Sequence, residues 1–396
     1  MEWMKATSKE GQDGFTIPDS WLHLHYYEAL NILFRIENGL RVFVYLVLKN
    51  EQKDKWADIT IASDDEQSTT IGAVAKRRRA QAENFGYLGY SISCPLLHLT
   101  SGELIRIITA ENYWKWFAKY FPGTKEIMRN KLDEIGTIRN TLAHFRPLKA
   151  DDVELLKQNA KHVLPVVEEL LDQVTSCDLV VPTNTKDVWY KELKSLGNDF
   201  CSISLRQSAN EDWLKVTVSF SSKPPVLNKG GKNHCYYQAF KLKTPAILKA
   251  IPALREQSIF ISEDLDYAAM PEDFQPAFSK QINFVFSRKT IESHHKDIKK
   301  AFRDLFAKIA NEGDLIKQDN LAKGALLELV FCSATLQEQK NYQSYWSFNT
   351  EKLSCPIQES DPSEYWGSFM NYRSDNFISH TTEYPWMPTP VSNAPF

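Results

Sequence analysis

Six cysteines are scattered through 396 residues without one CxxC pair. Neither a zinc knuckle nor a dense disulfide framework is encoded, and reduced thiols with no metal or cofactor are the simplest expectation. No apolar run of about 18 residues occurs, and the opening MEWMKATSKEGQDGFTIPDSW has no apolar signal core, so membrane spanning and secretion both lack support and the cytoplasm is the expected location. Charge of one sign is missing too. A net charge of −3 with a pI near 6.3 excludes a uniformly basic surface, so any nucleic-acid contact has to be focal. There is no GxxxxGK[ST] loop and no GxGxxG, which removes the sequence support for nucleotide hydrolysis and dinucleotide binding.

What is present is apolar and aromatic. At 43% hydrophobic and 12% aromatic content, a chain of this length can bury a large core and divides into two or three domains. Residues 21–50, WLHLHYYEALNILFRIENGLRVFVYLVLKN, place apolar side chains at three- and four-residue steps and predict a long packed helix. AVAKRRRAQAENFG follows, with Lys76, Arg77, Arg78 and Arg79 crowding one turn. Such a run is either a solvated face or a holder of phosphates, here of RNA.

Thr100 or Ser101 N-caps a helix predicted over 101–120, with Glu103 in its first turn and FPG as its stop. A helix ending near Pro147 comes next, then KADDVELLKQNAKHVLPVVEELLDQV with Asp151 and Asp152 at its positive end. Residues 1–178 thus read as an all-helical domain of four or five helices.

The pattern changes after VPTNT, a linker. DWLKVTVSF, CYYQAFKLK and QINFVFS read as strands, SSKPPVLNKGGKN as a turn or loop between the first two, and IESHHKDIKKAFRDLFAKIA as a helix. Residues 185–360 are expected to form an α+β domain with a regulatory or RNA-binding role. Residues 361–396, rich in aromatics and proline, read as a C-terminal arm. Its YWGSFMNYRSDNF stretch is a candidate RNA contact, or a surface that packs on a neighbour.

The most informative stretch is EIGTIRNTLAHFRPL, residues 134–148. At roughly 100° per residue, Leu132, Ile135, Ile138 and Leu142 collect on one side as a core stripe. Asn140 and His144, four apart, share the opposite side, and Arg139 flanks them with a side chain long enough to reach round. Cleaving RNA without metal needs a group that moves the 2′-hydroxyl proton and a fixed cation for the crowded phosphorane. Histidine and arginine are the side chains for those roles, and an amide can hold either the phosphate or the imidazole. A second pairing, Arg288 with His294 and His295 in SRKTIESHH, lacks a polar residue directly after the arginine and reads as a helix start.

IRNTLAHFRPL resembles the signature of the HEPN superfamily, an arginine, a polar residue and a histidine within four to six positions near a helix end. The flanking IENGLRVFVYLVL, LTSGELIRIITAENYWKWF and LKADDVELLKQNAKHVLPVVEEL resemble the helices around that motif in bacterial HEPN proteins, so the likeness spans residues 21–175. It implies a metal-independent endoribonuclease with Arg139 and His144 as the catalytic pair and Asn140 beside them. It also implies that Glu37 buttresses the arginine, as an acidic residue often does in the superfamily. The expected product is a 2′,3′-cyclic phosphate. A homodimer forming one composite cleft, a protein partner that inhibits or activates, and a role in phage defence or a toxin–antitoxin or abortive-infection system are further implications.

Two other readings stand beside it. One is a HEPN module without catalysis, used for dimerisation or nucleotide binding. The other gives the chemistry to the α+β half, where Cys201, Cys235, His234, His294 and His295 are the available groups, none with the spacing of a zinc site.

Overall fold

The computed structural model describes residues 10–11, 14–15, 24–61, 69–85, 94–144, 146, 148–177, 180–182, 186–222, 226–229, 233–269, 277–337 and 345–368. Its first half is built round α1 (Leu24–Gln52). From Leu40 to Lys49 every residue except Arg41 is buried. A helix apolar all round has to sit in the middle, and α1 packs against most of the helices that follow.

These are α2 (Ile71–Phe85), α3 (Ser101–Thr109), α4 (Glu111–Phe117), α5 (Lys125–Ala143), α6 (Ala150–Val163) and α7 (Pro165–Thr175). Two-residue strands β1 (Glu10–Gly11) and β2 (Gly14–Phe15) pair with each other, as do β3 (Thr60–Ile61) and β4 (Thr69–Thr70). Two helices expected to be continuous are broken. Ala110 leaves the helical region at φ −65°, ψ 138° and separates α3 from α4. Pro165, which cannot donate into the preceding turn, starts α7 afresh. The caps follow expectation: Thr100 and Glu103 form a reciprocal capping box on α3, and Asp151 and Asp152 occupy the first turn of α6.

The second half is α+β. It runs α8 (Val188–Lys194), β5 (Cys201–Gln207), β6 (Trp213–Ser222), β7 (Val226–Lys229), β8 (His234–Leu242), α9 (Thr244–Ala250), α10 (Pro252–Gln257), β9 (Phe260–Ala269) and β10 (Ala277–Ser287). The long α11 (Arg288–Lys317), β11 (Leu327–Gln337) and β12 (Tyr345–Asn349) complete it. Two antiparallel sheets result, ordered β5-β6-β10-β9 and β12-β11-β8-β7. The stretch expected to be only a loop between β6 and β8 contributes β7, whose Asn228 and Lys229 pair with Tyr236 and Cys235.

Both faces of the first sheet are covered. Phe284 and Phe286 meet Phe302 of α11 edge-on, while Trp213, Phe260 and Val285 join the core of the helical half. Lys280 and Glu263 form a buried ion pair at 2.6 Å, and Lys280 also donates to the Leu242 and Leu353 carbonyls.

The two halves are joined by buried polar contacts as well as by core. Tyr45 donates to the Ile259 carbonyl at 2.6 Å, and Lys49 reaches Glu364 and the Arg255 carbonyl at 2.8 and 2.9 Å. Trp366 stacks on Phe260 with centroids 3.8 Å apart. The start of the sequence-predicted arm, through Tyr365 and Trp366, is therefore core rather than free chain; residues 369–396, with the rest of the aromatic cluster, lie outside the described residues. No described helix is long and apolar enough to cross a membrane.

Candidate functional site

Leu132, Ile135, Ile138 and Leu142 are all buried, as the wheel of α5 requires, so the helix presents its other side outward. Thr124 caps its start, accepting from the Ile127 amide. His144 is its C-cap residue, its amide bonded to the Asn140 carbonyl at 3.1 Å. The hydroxyl of Tyr26 donates to the Leu142 carbonyl at 3.1 Å and ties this end of α5 to the start of α1.

Asn140 and His144 are exposed, and the His144 ring has no hydrogen-bond partner among the described residues. Arg139 is half-buried and turns toward α1. Its Nε lies 3.4 Å from Oε2 of Glu37, and Nη1 lies 3.5 Å from Oδ1 of Asn140, the outer limit of contact. Glu37 is thus brought to the arginine. No hydrogen bond joins Arg139 to the imidazole among the described residues.

Sequence reasoning missed the group behind Glu37. Arg41, one turn further along α1, pairs with Oε1 of Glu37, donates to Oδ1 of Asn38 at 2.8 Å and to the Leu99 carbonyl at 2.9 Å. Burial lowers the Arg41 pKa and Glu37 opposes that shift. The carboxylate therefore bridges two guanidinium groups, one largely buried and one half-buried at the end of α5. The signal was a Glu followed four residues later by an Arg on one helix face.

The basic run of α2 divides. Arg78 grips Glu103 bidentately at 2.7 and 2.8 Å and also donates to the His98 carbonyl. Arg79 pairs with Glu359 of the second half at 2.9 Å. Only Lys76 and Arg77 stand exposed. Partial burial, helped by Arg79 and Arg78, lowers the His98 pKa.

Around α11, Arg288 is held by Glu211 at 2.6 Å and Glu292 at 2.8 Å. It lines a cleft of about 390 Å³ between the halves with Lys119, Glu169, Asn210, Asp212 and Lys289. His294 sits at a kink, φ −126° and ψ 17°, and His295 faces Glu192 at 3.7 Å. This arginine is occupied by carboxylates. Burial raises the Cys201 thiol to about 12, which favours its protonated form at neutral pH. His234 is engaged with the Thr335 hydroxyl at 2.7 Å. Among the described residues no three His, Cys, Asp or Glu side chains gather as metal ligands.

Comparison with protein-family models, curated proteins and solved structures finds no match to this chain.

Proposed function

We propose that the chain is a metal-independent endoribonuclease of HEPN type acting through Arg139, Asn140 and His144. The observation that carries this reading is the division of labour at the end of α5. Asn140 and His144 are exposed, and Arg139 beside them has its cation oriented by Glu37, which Arg41 holds from behind. A guanidinium oriented before substrate arrives can stabilise the extra charge of a phosphorane without reorganising.

In the reaction the 2′-oxygen attacks phosphorus as its proton is taken, the P–O5′ bond breaks, and the 5′-oxygen receives a proton. The products are a 2′,3′-cyclic phosphate and a 5′-hydroxyl, with no water consumed. One imidazole cannot take a proton and give one in the same step. A homodimer in which two copies of His144 face one phosphate supplies both a base and an acid. Lys76 and Arg77 are the exposed cations of α2 available to the RNA backbone. A role in phage defence or as a toxin, with activity restrained by a protein partner or by the second half, follows from the same resemblance.

The test is cleavage of RNA in EDTA by wild type, Arg139→Ala and His144→Ala, with the product ends mapped. Cyclic-phosphate ends lost in both variants support the proposal. Cleavage indifferent to both substitutions overturns it and favours the non-catalytic module.

A further inference from the structure

The sheet β12-β11-β8-β7 buries both faces at the Leu327–Leu242 end, where Leu329 and Phe240 pack on the core of the second half, but from Phe331 onward along β11 it buries one face only. Tyr237, Cys332 and Ala334 face inward onto Phe278 and Leu353. On the other face stand three exposed aromatic side chains, Phe331 at 63%, Tyr345 at 53% and Tyr236 at 46%. Alternation along each strand puts all three on the same side.

The register arranges them in sequence. Phe331 lies on β11, Tyr236 pairs with Ser333, His234 pairs with Thr335, and Tyr345 pairs with Gln337. One ring therefore appears at each successive outward position of β11, a step of about 7 Å. The His234 ring is fixed by Thr335 and meets Tyr236 edge-on, with centroids 4.8 Å apart. Between the rings are amides and hydroxyls such as Gln238 and Ser347.

Charge agrees with a polyanion. The chain has 50 acidic residues, yet no outward position of β8, β11 or β12 carries one. In the sequence, residues 223–232, which include β7, contain three lysines and no acid.

We propose that this face is a stacking platform for single-stranded RNA, with Phe331, Tyr236, His234 and Tyr345 each receiving a base. The proposal rests on the ribonuclease reading and names how that enzyme selects its substrate. Flat rings at intervals take unpaired bases of any sequence, because every base has a π-face, whereas duplex RNA keeps its bases covered.

The test is fluorescence anisotropy of the full chain with a 2′-O-methyl oligoribonucleotide, which 2′-hydroxyl attack cannot cleave, as a single strand and as a duplex. The single strand is expected to bind more tightly than the duplex. Phe331→Ala, Tyr236→Ala and Tyr345→Ala should each weaken it by about 5- to 150-fold, with Tyr236→Phe close to wild type. Equal binding of single strand and duplex, or single-strand affinity unchanged by all three alanines, overturns the platform. So does loss of self-association in the alanine variants, seen by light scattering, without any RNA binding. Cleavage in EDTA is scored separately. Ring-dependent binding without cleavage keeps the platform and removes the nuclease; Arg139-dependent cleavage indifferent to the rings does the reverse.

Discussion

The Nε of Arg139 lies 3.4 Å from Oε2 of Glu37, a contact between residues 102 apart in the chain. The other oxygen of the same carboxylate is held by Arg41, which is almost wholly buried. One carboxylate thus serves both the packing of α1 and the orientation of a half-buried cation at the end of α5.

Glu37→Gln keeps the shape and removes the charge. Arg41 is then a buried guanidinium short of its counter-charge, and stability should fall by about 1–3 kcal/mol in urea denaturation. If Arg139 acts as proposed, its looser placement lowers cleavage by up to about 100-fold. A stability loss with an unchanged rate would make Glu37 structural alone.

Asn140 and His144 are exposed, so Asn140→Ala and His144→Ala should each unfold within about 0.5 kcal/mol of wild type. His144→Ala should lower the cleavage rate by about 10²- to 10⁴-fold. A His144→Ala protein that melts early would show the ring to be a structural element.

Lys49 and Glu364 form a fully buried pair between the halves at 2.8 Å, with Arg255 on the second carboxylate oxygen at 3.2 Å. Glu364→Ala strands Lys49 and should cost about 3–5 kcal/mol, whereas Lys49→Met with Glu364→Leu should recover most of that loss. Thermal unfolding of both variants, set against wild type, tests the assignment. Equal destabilisation by the single and double changes would contradict it.

His98 is partly buried beside Arg79 and Arg78, which lowers its pKa from the ordinary value of 6.5. Below about pH 6.5 the unfolded chain takes up a proton that the folded one refuses, so stability falls as pH drops toward the folded pKa. His98→Gln should flatten that part of the stability–pH curve. A slope the same in both proteins between pH 5 and 7 would contradict this.

Much of the fold was legible because its signals are local. The period of α5, the Thr100–Glu103 box and the alternation of β6 and β10 all follow from neighbours within a few residues. Pro165 was just as local a signal, and the break it makes before α7 follows from its missing amide. β7 hid between prolines and glycines, because its strand character comes from pairing with β8 rather than from its own residues.

At the site, the sequence by itself determined that Asn140 and His144 share one side of a helix end, since 3.6 residues per turn leaves no other choice. It also placed Glu37 and Arg41 on one face of α1. Only the tertiary structure decided that Glu37 reaches Arg139, that Arg78 and Arg79 are bound by Glu103 and Glu359, and that Phe331 and Tyr236 stay exposed while Trp366 is buried. Local periodicity sets the direction in which a side chain leaves its own helix or strand. What it meets there depends on which distant element packs opposite, and burial of apolar surface over the whole chain decides that.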